Sequence, residues 1–168
     1  MKKSIMVLVG LLLVQFSLAQ YTEQGTSLNQ EGALELAKQA HIEARKLGKK
    51  VSVAVLNNSG VSLLLLKGDQ VGPHNTEASR RKAYTSLSTK TPSFELMQKA
   101  ASNPTAQNLN TLPELLLLGG GVPVWKDGEL IGSLGVSGAG GGEQDHNVAK
   151  KAVENMGYEI TNIKINNK

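Results

Sequence analysis

Apolar residues recur at a helical period from Leu28 to Gly48, where Ala33, Leu36, Ala37, Ala40, Ala44 and Leu47 form one narrow stripe. Small residues dominate that stripe, so the helix is suited to packing closely on a sheet. Ser27 with Gln30 three residues on reads as a capping box, and Gly48 as the stop. The pattern then changes to strand-like runs, Val51 to Leu56 and Val61 to Leu66. Asn57-Asn58-Ser59-Gly60 between them predicts a tight hairpin, because Asn and Gly tolerate positive φ. After a loop from Lys67 to Pro73, a helix is predicted over Glu77 to Leu87 with Asn75 or Thr76 as its cap. Pro92 breaks it, and Ser93 is expected to cap a short helix from Phe94 to Ala101. Asn103 to Pro113 is rich in turn formers. Three strands follow, Glu114 to Leu118, Val122 to Lys126 and Leu130 to Val136, the last two joined by Asp127-Gly128. A last helix runs from about Glu143 to Met156 and stops at Gly157.

This order, α-β-β-α-α-β-β-β-α, predicts an α/β (α+β) domain with a five-stranded antiparallel sheet covered by helices. The chain has 168 residues, and one domain over residues 28–158 accounts for the periodic part. Residues 20–27 read as a flexible leader and 159–168 as a polar tail. Residues 1–19 read as a signal peptide: Met1-Lys2-Lys3 is charged, Ile5 to Phe16 is apolar, and Ser17-Leu18-Ala19 ends on a small residue. Cleavage after Ala19 implies an exported protein, periplasmic or secreted, with no membrane attachment afterwards.

Loss of Lys2 and Lys3 lowers the formal charge from +4 to +2, which leaves little reason to expect nucleic acid. With no cysteine, disulfides, thiol nucleophiles and covalent c-type haem are excluded. No Gly-x-Ser-x-Gly elbow occurs, and the acidic residues show no paired spacing, so no catalytic residue is assigned.

Ten of the eighteen glycines fall between Gly119 and Gly142. A phosphate loop would end in Gly-Lys-Ser/Thr and a dinucleotide fingerprint would read Gly-x-Gly-x-x-Gly; neither is present. The segment that opens the last helix, Gly138, Gly140, Gly141 and Gly142, is a candidate ligand loop. Its alternative role is structural, with Glu143 and Asp145 already satisfying the helix end. Of the three histidines, His41 borders the first apolar stripe, His146 sits in the first turn of the last helix, and His74 lies in a loop where it can reach a ligand or an iron. Arg81, Lys82 and Tyr84 cannot share one helix face, so at least one of them points at the sheet or a partner. A buried cation there needs an anion, which a ligand carboxylate would supply.

Two segments resemble the GlcG/HbpS-type family, which includes the C-terminal domain of PduO-type cobalamin adenosyltransferases. The first is Gly68-Asp69-x-x-Gly72-Pro73 followed by Arg81-Lys82-Ala83-Tyr84-Thr85. The second comprises Gly119-Gly120-Gly121-Val122-Pro123-Val124, Asp127-Gly128, Ile131-Gly132, Gly135-Val136-Ser137-Gly138 and Asp145. The resemblance spans Leu28 to Gly157. It implies a profilin-like three-layer α/β/α fold, homo-oligomers from dimer to octamer, and non-covalent haem binding linked to haem or iron handling. Thr85 matches the family threonine that lies near haem and Lys82 the lysine of the same motif. Lys82 or Arg81 would pair with the propionates, and His74 is the rival axial ligand. The chain departs from the family at Leu56-Asn57-Asn58-Ser59-Gly60, where many members carry Val-Asp-x-x-Gly, and so lacks that carboxylate. Two further readings stay open: an enzyme acting on haem or a small carboxylate, and a non-catalytic accessory module that binds no haem.

Overall fold

The computed structural model describes residues 25–162. The expected signal peptide, residues 20–24 of the leader and the last residues of the tail lie outside that range. Helix α1 spans Gln30–Lys46, and strands β1 and β2 span Ser52–Asn57 and Ser62–Leu66. Helices α2 (His74–Thr89) and α3 (Ser93–Ser102) follow, then a 3-10 segment, Pro104–Thr111. Strands β3 (Gly121–Lys126) and β4 (Glu129–Ser137) and helix α4 (Gly142–Glu154) complete the order. All strand pairings are antiparallel, in the order β2-β1-β4-β3.

The sheet therefore has four strands, not five. The predicted strand Glu114 to Leu118 is an irregular crossing: the Leu115 and Leu118 N–H groups donate to the Leu112 and Leu116 carbonyls, and three other backbone groups bond to helix side chains. The Leu116 N–H donates to Thr85 Oγ1 at 2.8 Å. The Leu115 carbonyl accepts from Arg81 at 2.6 Å, and the Leu118 carbonyl from Ser93 at 2.7 Å. Leu115 and Leu117 are buried as a strand's apolar residues would be, so the pattern reports burial correctly but not the hydrogen-bond partner. Ser93 Oγ also accepts from the Gly121 N–H at 2.8 Å, so this hydroxyl ties the start of α3 to β3 instead of capping its own helix.

Other boundaries differ in detail. Asn29, not Ser27, caps α1, its side-chain oxygen accepting from the Gly32 N–H at 2.9 Å. Helix α2 begins at His74 with no side-chain cap. Asp127 and Gly128 both take positive φ, 52° and 81°, which is the geometry of the predicted two-residue hairpin turn.

The sheet is covered on both faces. Val53 and Val55 of β1, Val122 and Val124 of β3, and Leu134 and Val136 of β4 pack with Leu36, Ala40 and Ala44 of α1 and Val148, Ala152 and Val153 of α4. Alternation sends Ala54 and Leu56 to the opposite face, where they meet Ala83 and Leu87 of α2. Each buried valine or leucine contributes ~1.5–3 kcal/mol by leaving water.

The α2 face carries small residues, and this sets the site. Gly121 and Gly135 are directly paired across β3 and β4. A Cβ on Gly121 would run into the Lys82 carbonyl, and one on Gly135 into the Ser79 carbonyl. The glycine pair thus lets the α2 backbone rest on the sheet, with buried Ser79, Ala83 and Ser86 beneath it. Beyond α4, Glu159 pairs with Trp125 through two backbone bonds of 2.8 and 3.0 Å, extending the fold past Tyr158.

Candidate functional site

Because α2 lies so close to the sheet, Lys82 cannot point away from it. Its side chain is driven along the sheet surface toward the end of β4, where it is only 3 % exposed. There Lys82 Nζ meets Asp145 Oδ2 at 2.8 Å, with the Val136 carbonyl and Ser137 Oγ each at 3.3 Å. The other Asp145 oxygen accepts from the Ala139 N–H at 2.7 Å. Ser137 Oγ donates to Asn75 Oδ1 at 2.8 Å. One network thus joins the start of α2, the end of β4, the glycine loop and the first turn of α4. The anion expected for a buried cation is present, supplied by the protein itself. Ion and partner are both desolvated, so their geometry and their extra hydrogen bonds decide whether the pair is tolerated.

The glycine loop follows from this anchoring. Gly138, Gly140 and Gly141 have φ of 118°, 120° and 151°, a backbone course that side chains with a Cβ rarely follow. The loop wraps Asp145, and the Asp145 N–H donates to the Gly141 carbonyl at 2.9 Å. Asp145 therefore satisfies the loop as well as standing in the helix's first turn.

Above this network lies a cleft of about 360 Å³, lined by Lys82, Ala78, Asn75, His74, Leu118 and the loop residues Gly138, Gly140, Gly141 and Gly142. His74 stands exposed at its rim, its imidazole folded back over Gly72. Leu118, 47 % exposed, supplies an apolar wall. A cleft of this size sits at the small end of organic-ligand pockets, ~300–1,000 Å³.

The predicted site residues therefore divide. His74, Lys82 and the four glycines converge on one cleft. Arg81 and Thr85 serve the crossing segment instead: Thr85 is fully buried, and its hydroxyl donates to the Arg81 carbonyl at 2.8 Å while accepting from Leu116. Arg81 binds the Leu115 carbonyl, and its buried Nε has no hydrogen-bond partner among the described residues. Sequence reasoning did not assign Asn75, Ser137 or Asp145 to the site. Only Asp145 had a usable clue, namely the demand of a buried Lys82 for an anion.

The remaining histidines are elsewhere. His41 Nδ1 donates to the Ala37 carbonyl at 2.8 Å. His146 stacks on Phe94 with ring centroids 5.2 Å apart. Burial, and secondarily the Lys150 cation, lower its pKa, against a smaller opposing effect of Glu154.

A single antiparallel sheet with helices on both faces and a cleft at a helix start defines a small α/β/α domain. The chain belongs to the HbpS-like family, described as haem degrading protein HbpS-like, which matches residues 28–154. Protein GlcG of Escherichia coli strain K12 is 36% identical over 66% of this chain and 81% of its own length. The corrinoid adenosyltransferase PduO of Salmonella typhimurium is 29% identical over 71% of this chain, which spans only 36% of that enzyme. Among solved structures, a double mutant of Streptomyces reticuli HbpS superposes with a TM-score of 0.72 at 36% identity, covering 80% of this chain and 90% of the other. A PduOC:haem complex gives a TM-score of 0.72 at 26% identity, over 81% and 99% of the two chains. The expectation of an HbpS/GlcG-type fold is met.

Proposed function

We propose that this chain is an exported haem-binding protein that takes the tetrapyrrole non-covalently at the His74 cleft and serves haem or iron handling. The observation that carries the reading is the cleft itself. An exposed histidine stands at its rim, and glycine backbone and apolar Leu118 form walls that a flat ring can approach closely. Family membership and a relative crystallised with haem add to it. When bound, haem iron supplies redox and ligand-exchange chemistry; His74 is the side chain here that would hold it.

Lys82 is already neutralised by Asp145, so it does not offer a free charge to the propionates. Arg81 is engaged with Leu115. At about 360 Å³ the cleft is also too small to enclose a whole macrocycle within one subunit. A homo-oligomer, from dimer to octamer, would complete it by closing the open side with a second copy. Binding is favoured over catalysis because Lys82, Asp145, Ser137 and Asn75 are bonded to one another. Export rests on the charged, apolar and small-residue order of residues 1–19.

Purification of the mature chain from cells supplied with haem tests this reading. The expected result is a Soret-absorbing species in the exported fraction at the native mass of an oligomer. A colourless monomer retained in the cytoplasm would contradict it.

A further inference from the structure

A second cavity, of about 320 Å³, lies where α1 ends beside the end of β2. Gly48, with φ of 65°, terminates α1 and turns the chain back, so Lys49 and Lys50 follow Arg45 at once. The antiparallel pairing of Val53 with Leu66 then brings Lys67 to the same end of the sheet. The cavity is lined by Arg45, Lys49, Lys50, Lys67, Leu66 and Asp69, with His41 and Gly68 completing it. Four cations against one carboxylate leave a local charge of +3, in a chain whose total is +4. Lys50 donates to Gln70 Oε1 at 3.3 Å and Lys67 to the Gly68 carbonyl at 3.1 Å, both uncharged acceptors. No salt bridge among the described residues involves any of the four cations. By contrast Lys82, Arg80, Lys46 and Lys38 each have a carboxylate partner.

Like charges gathered in a concavity repel one another, and an anion entering it relieves that repulsion while receiving several charge-assisted hydrogen bonds. We propose that this cavity binds a small polyanion carrying two or more carboxylate or phosphate groups. Arg45 and Lys49 contribute the principal contacts, and Leu66 and the lysine stems contribute apolar wall. The cavity adjoins the first cleft through Lys49, whose Cε lies 3.8 Å from where a Cβ on Gly140 would be. The inference does not rest on haem binding, and its test contains no haem.

The test is calorimetric titration of the full mature chain, at low ionic strength, with citrate, inorganic pyrophosphate and acetate. Citrate or pyrophosphate binds at least about tenfold more tightly than acetate, and raising the salt weakens binding. The double variant R45Q/K49Q, at exposed positions, keeps the thermal midpoint but loses about tenfold or more in affinity. Lys126→Gln, an exposed cation elsewhere, changes it by less than about twofold. Binding of pyrophosphate without citrate assigns the site to phosphates; binding of citrate without pyrophosphate assigns it to carboxylates. No binding of either polyanion, equal binding by R45Q/K49Q, or an equal loss in Lys126→Gln would overturn the proposal.

Discussion

Lys82 shows how one residue can be read correctly in kind and wrongly in partner. Its place on the helix requires that it or a neighbour turn inward, and the burial of a cation requires an anion. The anion is Asp145, sixty-three positions later in the chain, at 2.8 Å. Nothing local joins the two; the connection exists only once paired Gly121 and Gly135 let α2 settle on the sheet. Thr85 is the converse case: the family resemblance leads to the expectation of a haem neighbour, and in the fold its hydroxyl holds Leu116. Breaking the buried pair on one side leaves an uncompensated charge. Asp145→Asn should therefore lower stability by about 3–5 kcal/mol in urea unfolding. A loss below about 1 kcal/mol would show that water reaches Lys82 and that the pair does not anchor the loop.

At the scale of elements, periodicity located the four α-helices and four strands of the described residues, but not the strand status of Glu114 to Leu118. Its run of leucines has a buried strand's composition, and hydropathy cannot say whether the backbone bonds to a strand or to Arg81, Thr85 and Ser93. Helix ends also shifted, because Asn29 and Ser27 are equally good capping residues and only the approach of the chain decides between them. Helix α4 adds a pH dependence. Burial lowers the pKa of His146, so between that value and the ordinary 6.5 the unfolded chain binds more protons there than the folded one. Stability contributed by this site is complete above the ordinary value and declines as pH falls toward the folded one. The thermal midpoint should thus drop on acidification from pH 7.5 to 5.5, and His146→Gln should flatten that part of the curve. An identical slope in the variant would remove His146 as the cause.

For the whole molecule, an antiparallel sheet covered by helices was legible because hairpin turns and helical periodicity are local features, and the three-layer arrangement came with the family resemblance carried by the glycine spacing and the Arg81 to Thr85 motif. The convergence of His74, Lys82 and Gly138 to Gly142 on one cleft was anticipated as two separate candidates, and the fold unites them. The cleft's small volume was not legible, since it arises from long-range packing. The central claim is that His74 marks the ligand site. It is tested most directly by titrating hemin into the mature chain and into His74→Ala and following the Soret band. The account predicts a saturable shift in the wild type at micromolar hemin, and in the variant a weaker affinity with an altered band position. Indistinguishable titrations, or no saturable shift in the wild type, would contradict it.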